Sequence, residues 1–306
     1  GLGEAVCASG GLGAVLALRA AAPCFRRSLR GLPEVTPPRL YICGGDSNGQ
    51  YLSSLERLDL ASGTWEALPP MRRGRSWAAA APLGGCIYIC GGRAGLQVLS
   101  SVERYSVADG AWRDLPPMLQ RREGAAATAT RGQLLVVGGG DGSSILQSTE
   151  RLDAEGDWGQ WLDAARMRSS RMGCGVTTLH GKVYACGGSD GQRSLSTVEC
   201  LSDWANAAYW QALPSMLQRR ERFAAAAMGG MLYVCGGCDD HPQVLSAAER
   251  FDPAARAWEP LPPMPQRRQG VAGAAAAGRL LVCGGCSGRQ DLRWVERYDP
   301  ELGTWE

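Results

Sequence analysis

Lysine, histidine and phenylalanine are scarce in this chain of 306 residues: there are two His and three Phe, and the 32 basic residues include a single lysine, Lys182. One lysine, with no Gly-x-Gly-x-x-Gly run opening a helix, leaves nothing from which a phosphate-cradling nucleotide loop could be built. Two histidines, His180 and His241, are a thin supply of metal ligands. No stretch of 18 uncharged apolar residues occurs, since Arg19 interrupts the best candidate, so no membrane-spanning helix is expected. The formal net charge is only +2, which gives no electrostatic footprint for nucleic acid. Arginine is so favoured over lysine that its abundance says nothing; only its position carries information.

What the sequence has is repetition. A Gly-Gly pair recurs at Gly44, Gly91, Gly139, Gly187, Gly236 and Gly284, each followed by a tryptophan at Trp65, Trp112, Trp161, Trp210, Trp258 and Trp305. That spacing is the period of four-stranded propeller blades. In the second repeat the parts separate clearly: an Ala-rich run from Ala78 to Leu83, Cys86 to Cys90 before the glycines, Ser101 to Tyr105, and Trp112 to Met118. Four short runs divided by turn residues predict four antiparallel strands. The Ala-rich run suits the innermost strand, where blades crowd around the axis. Of the twelve cysteines, Cys43, Cys90, Cys186, Cys235 and Cys283 share one repeat position. Equivalent positions lie in different blades, too far apart to bridge, so they read as small apolar strand residues in a reducing, cytoplasmic or nuclear compartment.

The pattern Gly-Gly, then Glu-Arg-Tyr-Asp-Pro (Glu296 to Pro300), then Trp and Leu-Pro-Pro-Met (Leu261 to Met264) resembles the kelch repeat. The resemblance implies an all-β, six-bladed kelch-type propeller over 39–306, preceded by an N-terminal helical remnant over 1–38. Blade one lacks an Ala-rich inner strand, because residues 33–39 are too Pro-rich, and blade six stops two residues into its outer strand. These complementary defects, with no initiator Met, lead us to expect a fragment of a longer protein in which residues after Glu306 complete the ring.

An arginine stands four residues after the Met that ends each outer strand: Arg75, Arg122, Arg171, Arg220 and Arg268. The segment lies on the same face as the loops after Gly-Gly, which add Asp46, Ser47, Asn48, Arg93, Asp141, Ser143, Ser189, Asp190, Asp239, Asp240, His241, Ser287 and Arg289. Such a rim suits a peptide bearing acidic or hydroxyl groups. In peptide-capturing kelch proteins, arginine at this phase lines the pocket, so the resemblance makes these five candidate partner contacts. The alternative is that each pairs with an acidic neighbour or closes backbone carbonyls within the scaffold.

Residues 11–30 carry Leu12, Val15, Leu16 and Leu18 at near-helical spacing, then Pro23 and Cys24-Phe25-Arg26-Arg27. They resemble the C-terminal half of an F-box, which would attach the propeller to the adaptor of a cullin-type ubiquitin ligase as its substrate receptor; an Ala-rich linker or a presequence remnant is the alternative. The resemblance therefore implies a non-catalytic protein-binding propeller, with a BTB-linked or stand-alone scaffold such as a cytoskeletal binder as its rival. A copper enzyme resembling galactose oxidase ranks third, because the two histidines fall on opposite faces. The pairs Cys235-x-x-Cys238 and Cys283-x-x-Cys286 sit in neighbouring blades rather than on converging knuckles, so neither zinc nor any other cofactor is expected. The recurring Glu of Glu-Arg is a repeated strand position, which argues for architecture over catalysis.

Overall fold

The computed structural model describes residues 14–18, 39–47, 49–153, 159–202, 209–241 and 243–306. Six four-stranded antiparallel sheets form the blades. In blade two, inner to outer, the strands are Ala79–Leu83, Cys86–Cys90, Val102–Ser106 and Ala111–Leu115. Blades three to six repeat this order and end at the two-residue outer strand Thr304–Trp305.

The second strand of each blade is apolar throughout because both of its faces are covered. In blade two, Ile87 and Ile89 pack with Tyr41, Leu55 and Met71 of blade one. Tyr88 and Cys90 point the other way, toward Leu134, Val136 and Trp161 of blade three. Alternating side chains thus feed alternate junctions, and the apolar core divides into six clusters, one per junction.

Three expectations are corrected. Blade one does have an inner strand: Ala14–Leu18 pairs antiparallel with Arg39–Cys43 and lies between the inner strands of blades two and six. The segment expected as helix, with its F-box resemblance, is therefore a strand at residues 14–18, and the propeller reaches into 1–38. Its alternating-compatible run Ala-Val-Leu-Ala-Leu fits either period over five residues, and ring closure decides it. The remainder of 11–30 lies outside the described residues. In blade three, the glycine pair in register is Gly138–Gly139, not one residue later: Gly138 follows Val137, the partner of Thr149.

Glycine is required at the first of the pair in blades one to five because the chain linking each blade to the next presses on it. A Cβ on Gly138, at φ +63°, would stand 2.3 Å from the backbone carbonyl oxygen of Arg171. The following Gly139 N–H donates to that same carbonyl at 2.7 Å. Gly138→Ala is expected to destabilise by about 3 kcal/mol or more through this clash and the left-handed backbone; an unchanged midpoint in thermal unfolding would contradict it.

Candidate functional site

The five Met-plus-four arginines are not on the rim. They are at most 1 % exposed, and each crosses from one linker into the next blade. Arg122 Nη1 donates to the carbonyls of Gly138 (2.7 Å) and Ser148 (3.0 Å), and its Nε donates to Glu150 Oε1 at 2.9 Å. The same pin joins Arg75 to Glu103 (2.5 Å), Arg171 to Glu199 (2.8 Å), Arg220 to Glu249 (2.6 Å) and Arg268 to Glu296 (2.6 Å). Burial pulls the Arg122 pKa down, and the Glu150 carboxylate opposes that pull; arginine stays charged regardless. Their burial corrects the expectation that they contact a partner: the recurring Glu and the recurring Arg are one structural device.

The glutamates collect further donors. The first N–H after each Met reaches Glu103 (Arg72, 2.8 Å), Glu150 (Leu119, 2.6 Å), Glu199 (Arg168, 2.7 Å) and Glu249 (Leu217, 2.7 Å). For Glu296 that position is Pro265, which has no N–H, and Glu296 Oε2 is buried with no hydrogen-bond partner.

Several post-glycine side chains fold their own loops. Asp141 Oδ1 accepts from the N–H groups of Ser143 and Ser144 and from the Ser143 hydroxyl, and these bonds hold its carboxyl below the usual carboxylate range. Asp190 likewise accepts from Gln192 and Arg193, and Asp239 from His241 and Gln243. The buried Ser287 bonds the Gln290 carbonyl. Asp240 Oδ1 accepts from the Ser194 N–H of the preceding blade. Asp46 is half-buried, and burial followed by the nearby Asp291 charge pushes its pKa up. Arg93 pairs with Glu123 at 3.0 Å. Ser143, His241 and Arg289 are exposed, while Ser47 and Ser189 are half-buried; Asn48 lies outside the described residues.

What remains at the channel mouth is a ring that sequence reading missed. Two residues after each buried arginine the backbone turns left-handed: Trp77 (φ 58°), Gly124 (60°), Gly173 (64°), Arg222 (58°) and Gly270 (62°). Each N–H donates to the carbonyl of the preceding member, from Gly124 to Trp77, Gly173 to Gly124, Arg222 to Gly173 and Gly270 to Arg222, at 2.7–2.8 Å. Three members are glycine, as the backbone demands. Trp77 and Arg222 are not. They stand three blades apart in a ring of six, hence opposite one another, and the Arg222 guanidinium lies 4.8 Å from the Trp77 ring centroid across the mouth. Below them the channel is lined by Ala80, Ala127, Val176 and Ala225. Glu221 flanks Arg222 at 3.6 Å. The signal was in the sequence: at a position where three blades carry glycine, two carry a large side chain.

Burial pushes the thiols of Cys235 and Cys238 up to about 12. Among the described residues no cluster of three His, Cys, Asp or Glu is placed to hold a metal ion. His180 occupies an inner hairpin turn with φ 49°, opposite the face that carries His241.

Replacing Pro265 by Ala is expected to supply the missing N–H to Glu296 and raise stability by about 1 kcal/mol, a hydrogen bond to a charged acceptor less the chain entropy that proline removes. Denaturant unfolding measures it, and a loss of stability would contradict the account of the orphaned oxygen.

A family model described as the KLHDC2/KLHL20/DRC7 Kelch-repeats domain matches residues 33–188, and the Kelch motif matches 170–217, 219–265 and 267–306. No curated protein matches the chain. Among solved structures, one titled "Structure of YjhT" superposes with a TM-score of 0.80 at 15 % identity, covering 100 % of this chain and 99 % of that one, which shows a shared fold alone. With its six blades, joined by five Arg–Glu pins, and these matches, the chain belongs to the kelch-repeat family.

Proposed function

We propose that the chain is a non-catalytic protein-binding propeller whose partner engages the channel mouth on the glycine-pair face. The observation that carries this reading is the Trp77–Arg222 pair. Holding an L-residue in left-handed backbone costs about 1–2 kcal/mol, and Gly124, Gly173 and Gly270 serve the same turn without that cost. A cation–π contact returns about 0.5–1 kcal/mol where exposed and about 2 kcal/mol where desolvated, so this half-buried pair at most offsets the cost of one of its two strained residues. The scaffold therefore gains little from either side chain, and strain retained at a repeat-breaking position points to binding. Arg222 offers a fork to a carboxylate or hydroxyl, Trp77 an apolar face, with Arg93 and Arg121 beside the rim groove at Asp141 and Ser143. A protein segment bearing an acidic or hydroxyl group next to an apolar side chain fits these groups.

Membership of the kelch family supports a protein partner. The narrower role as substrate receptor of a cullin-type ubiquitin ligase needs a docking element other than residues 14–18, which are spent as a strand; a pull-down of the ligase adaptor separates it from a scaffold role. The recurring strand cysteines Cys43, Cys90, Cys186 and Cys235, buried in different blades, support placement in the reducing cytoplasm.

Selection of a displayed peptide library on the chain, beside its Trp77→Gly/Arg222→Gly variant, tests the site. Glycine matches the local backbone, so the variant should keep its thermal midpoint within about 3 °C, as expected for a change of roughly 1 kcal/mol, while acidic peptides enriched by the parent are lost. Equal enrichment by both proteins would overturn the reading.

A further inference from the structure

The channel has a second mouth, on the face opposite the glycine pairs. Each inner strand runs toward it, since Ala126 pairs with Val137 beside Gly138 while Thr130 pairs with Gln133. Trp77 and Arg222 meet across the near end, and a cavity of about 300 Å³ occupies the far half. Its walls differ. Ala80, Ala225, Ala227 and Ala274 make one side apolar, whereas Thr128, Thr177 and Thr178 put hydroxyls on the other. The inner strands of blades two, five and six carry no hydroxyl, so these threonines break the repeat. Thr128 and Thr178 bond each other at 2.9 Å; Thr177 has no partner among the described residues. None of the described lining residues is acidic.

Cations stand where this cavity ends. In the turn after each inner strand the leading residue is left-handed: Gly84 in blade two and Gly229 in blade five, both at φ 58°, but Arg131 (51°) in blade three and His180 (49°) in blade four. Glycine takes this turn without strain, and arginine is not among the side chains that tolerate it. Both side chains run round the rim toward the next blade. Arg131 Nη2 comes within 3.7 Å of the place a Cβ would take on Gly181, and His180 Cε1 within 3.9 Å of that place on Gly230. Both residues are exposed, as is Lys182 of the same hairpin as His180. Among the described residues neither Arg131 nor His180 has a hydrogen bond or ion pair. The acids at this end, Asp59, Asp252 and Asp299, stand two strands further from the axis and accept from N–H groups of their own turns.

We propose that the far half of the channel is a binding site for a small carboxylate with a compact apolar body. The carboxylate takes the planar fork of Arg131 and an N–H of the His180 ring, and the body covers the alanine wall, with the Thr177 hydroxyl free to bond it from the other side. Unpaired cations at the rim of a cavity without carboxylates favour an anion. An anion with no apolar part would leave the alanine wall uncovered, and a volume at the lower end of ligand pockets limits the body to about the size of one aromatic ring.

The test titrates benzoate, and benzamide as its uncharged isostere, against the 306-residue chain by saturation-transfer difference NMR. Saturable benzoate binding is expected, with benzamide about tenfold weaker or more, as for loss of a charge-assisted hydrogen bond. Arg131→Gly installs the residue that blades two and five use at this turn, so it should leave the thermal midpoint no lower while weakening benzoate by a similar factor. Absence of saturable binding, equal affinities of benzoate and benzamide, or undiminished binding by Arg131→Gly would overturn the proposal. Binding kept by Arg131→Gly but lost from Trp77→Gly/Arg222→Gly would likewise overturn it, by moving the anion to the glycine-pair mouth. Peptide selection at that mouth is a separate readout, which Arg131→Gly should leave unchanged.

Discussion

A guanidinium that leaves the linker of one blade and is neutralised inside the next governs how the blades assemble. Arg122 must meet two carbonyls and one carboxylate of blade three at hydrogen-bond distance, and its own carbonyl must at the same time accept from Gly92 of blade two. A linker shifted by one residue satisfies none of these. Replacing a buried ion pair by packed apolar groups is often neutral in stability, whereas removing one partner costs about 3–5 kcal/mol. That asymmetry assigns the pin to fixing geometry: apolar clusters at the junctions supply the burial, and the Arg–Glu pair selects the one blade-to-blade register in which no charge is stranded. The glycine pairs follow from it, since the linker can reach across only by pressing its carbonyl against a residue without a Cβ.

With the constant positions absorbed by the scaffold, the proposed binding site draws on positions where the repeat is broken. Trp77 and Arg222 occupy a backbone conformation that the other members of the ring fill with glycine. Their contact spans the channel, and so a single ligand at the mouth would touch opposite sides of the ring at once. The acidic loop residues around them are largely committed to their own turns, so the groups left to the proposed ligand are the arginines and the indole.

Fold was legible because period and strand count repeat along the chain and Ala-rich inner runs recur in four blades, each a consequence of local chemistry. The five arginines were visible by phase, but phase alone does not tell a rim from an inter-blade wall: that depends on which way a side chain leaves the linker, and the complementary Glu, equally periodic, was the clue that the two belong together. Residues 14–18 were unreadable for another reason. Five small and branched apolar residues satisfy helix and strand periods alike, and only the vacancy beside Arg39–Cys43 favours the strand. The Trp77–Arg222 pair went unnoticed because the positions become equivalent only when the hydrogen-bonded ring of left-handed residues is seen.

Thermal and denaturant unfolding of Arg122→Met, alone and combined with Glu150→Leu, bears most directly on the claim that the periodic arginines are inter-blade pins. The single substitution should cost about 3–5 kcal/mol by stranding the Glu150 charge, and the second should restore most of that loss. A single variant as stable as the parent would contradict the account and return Arg122 to the rim.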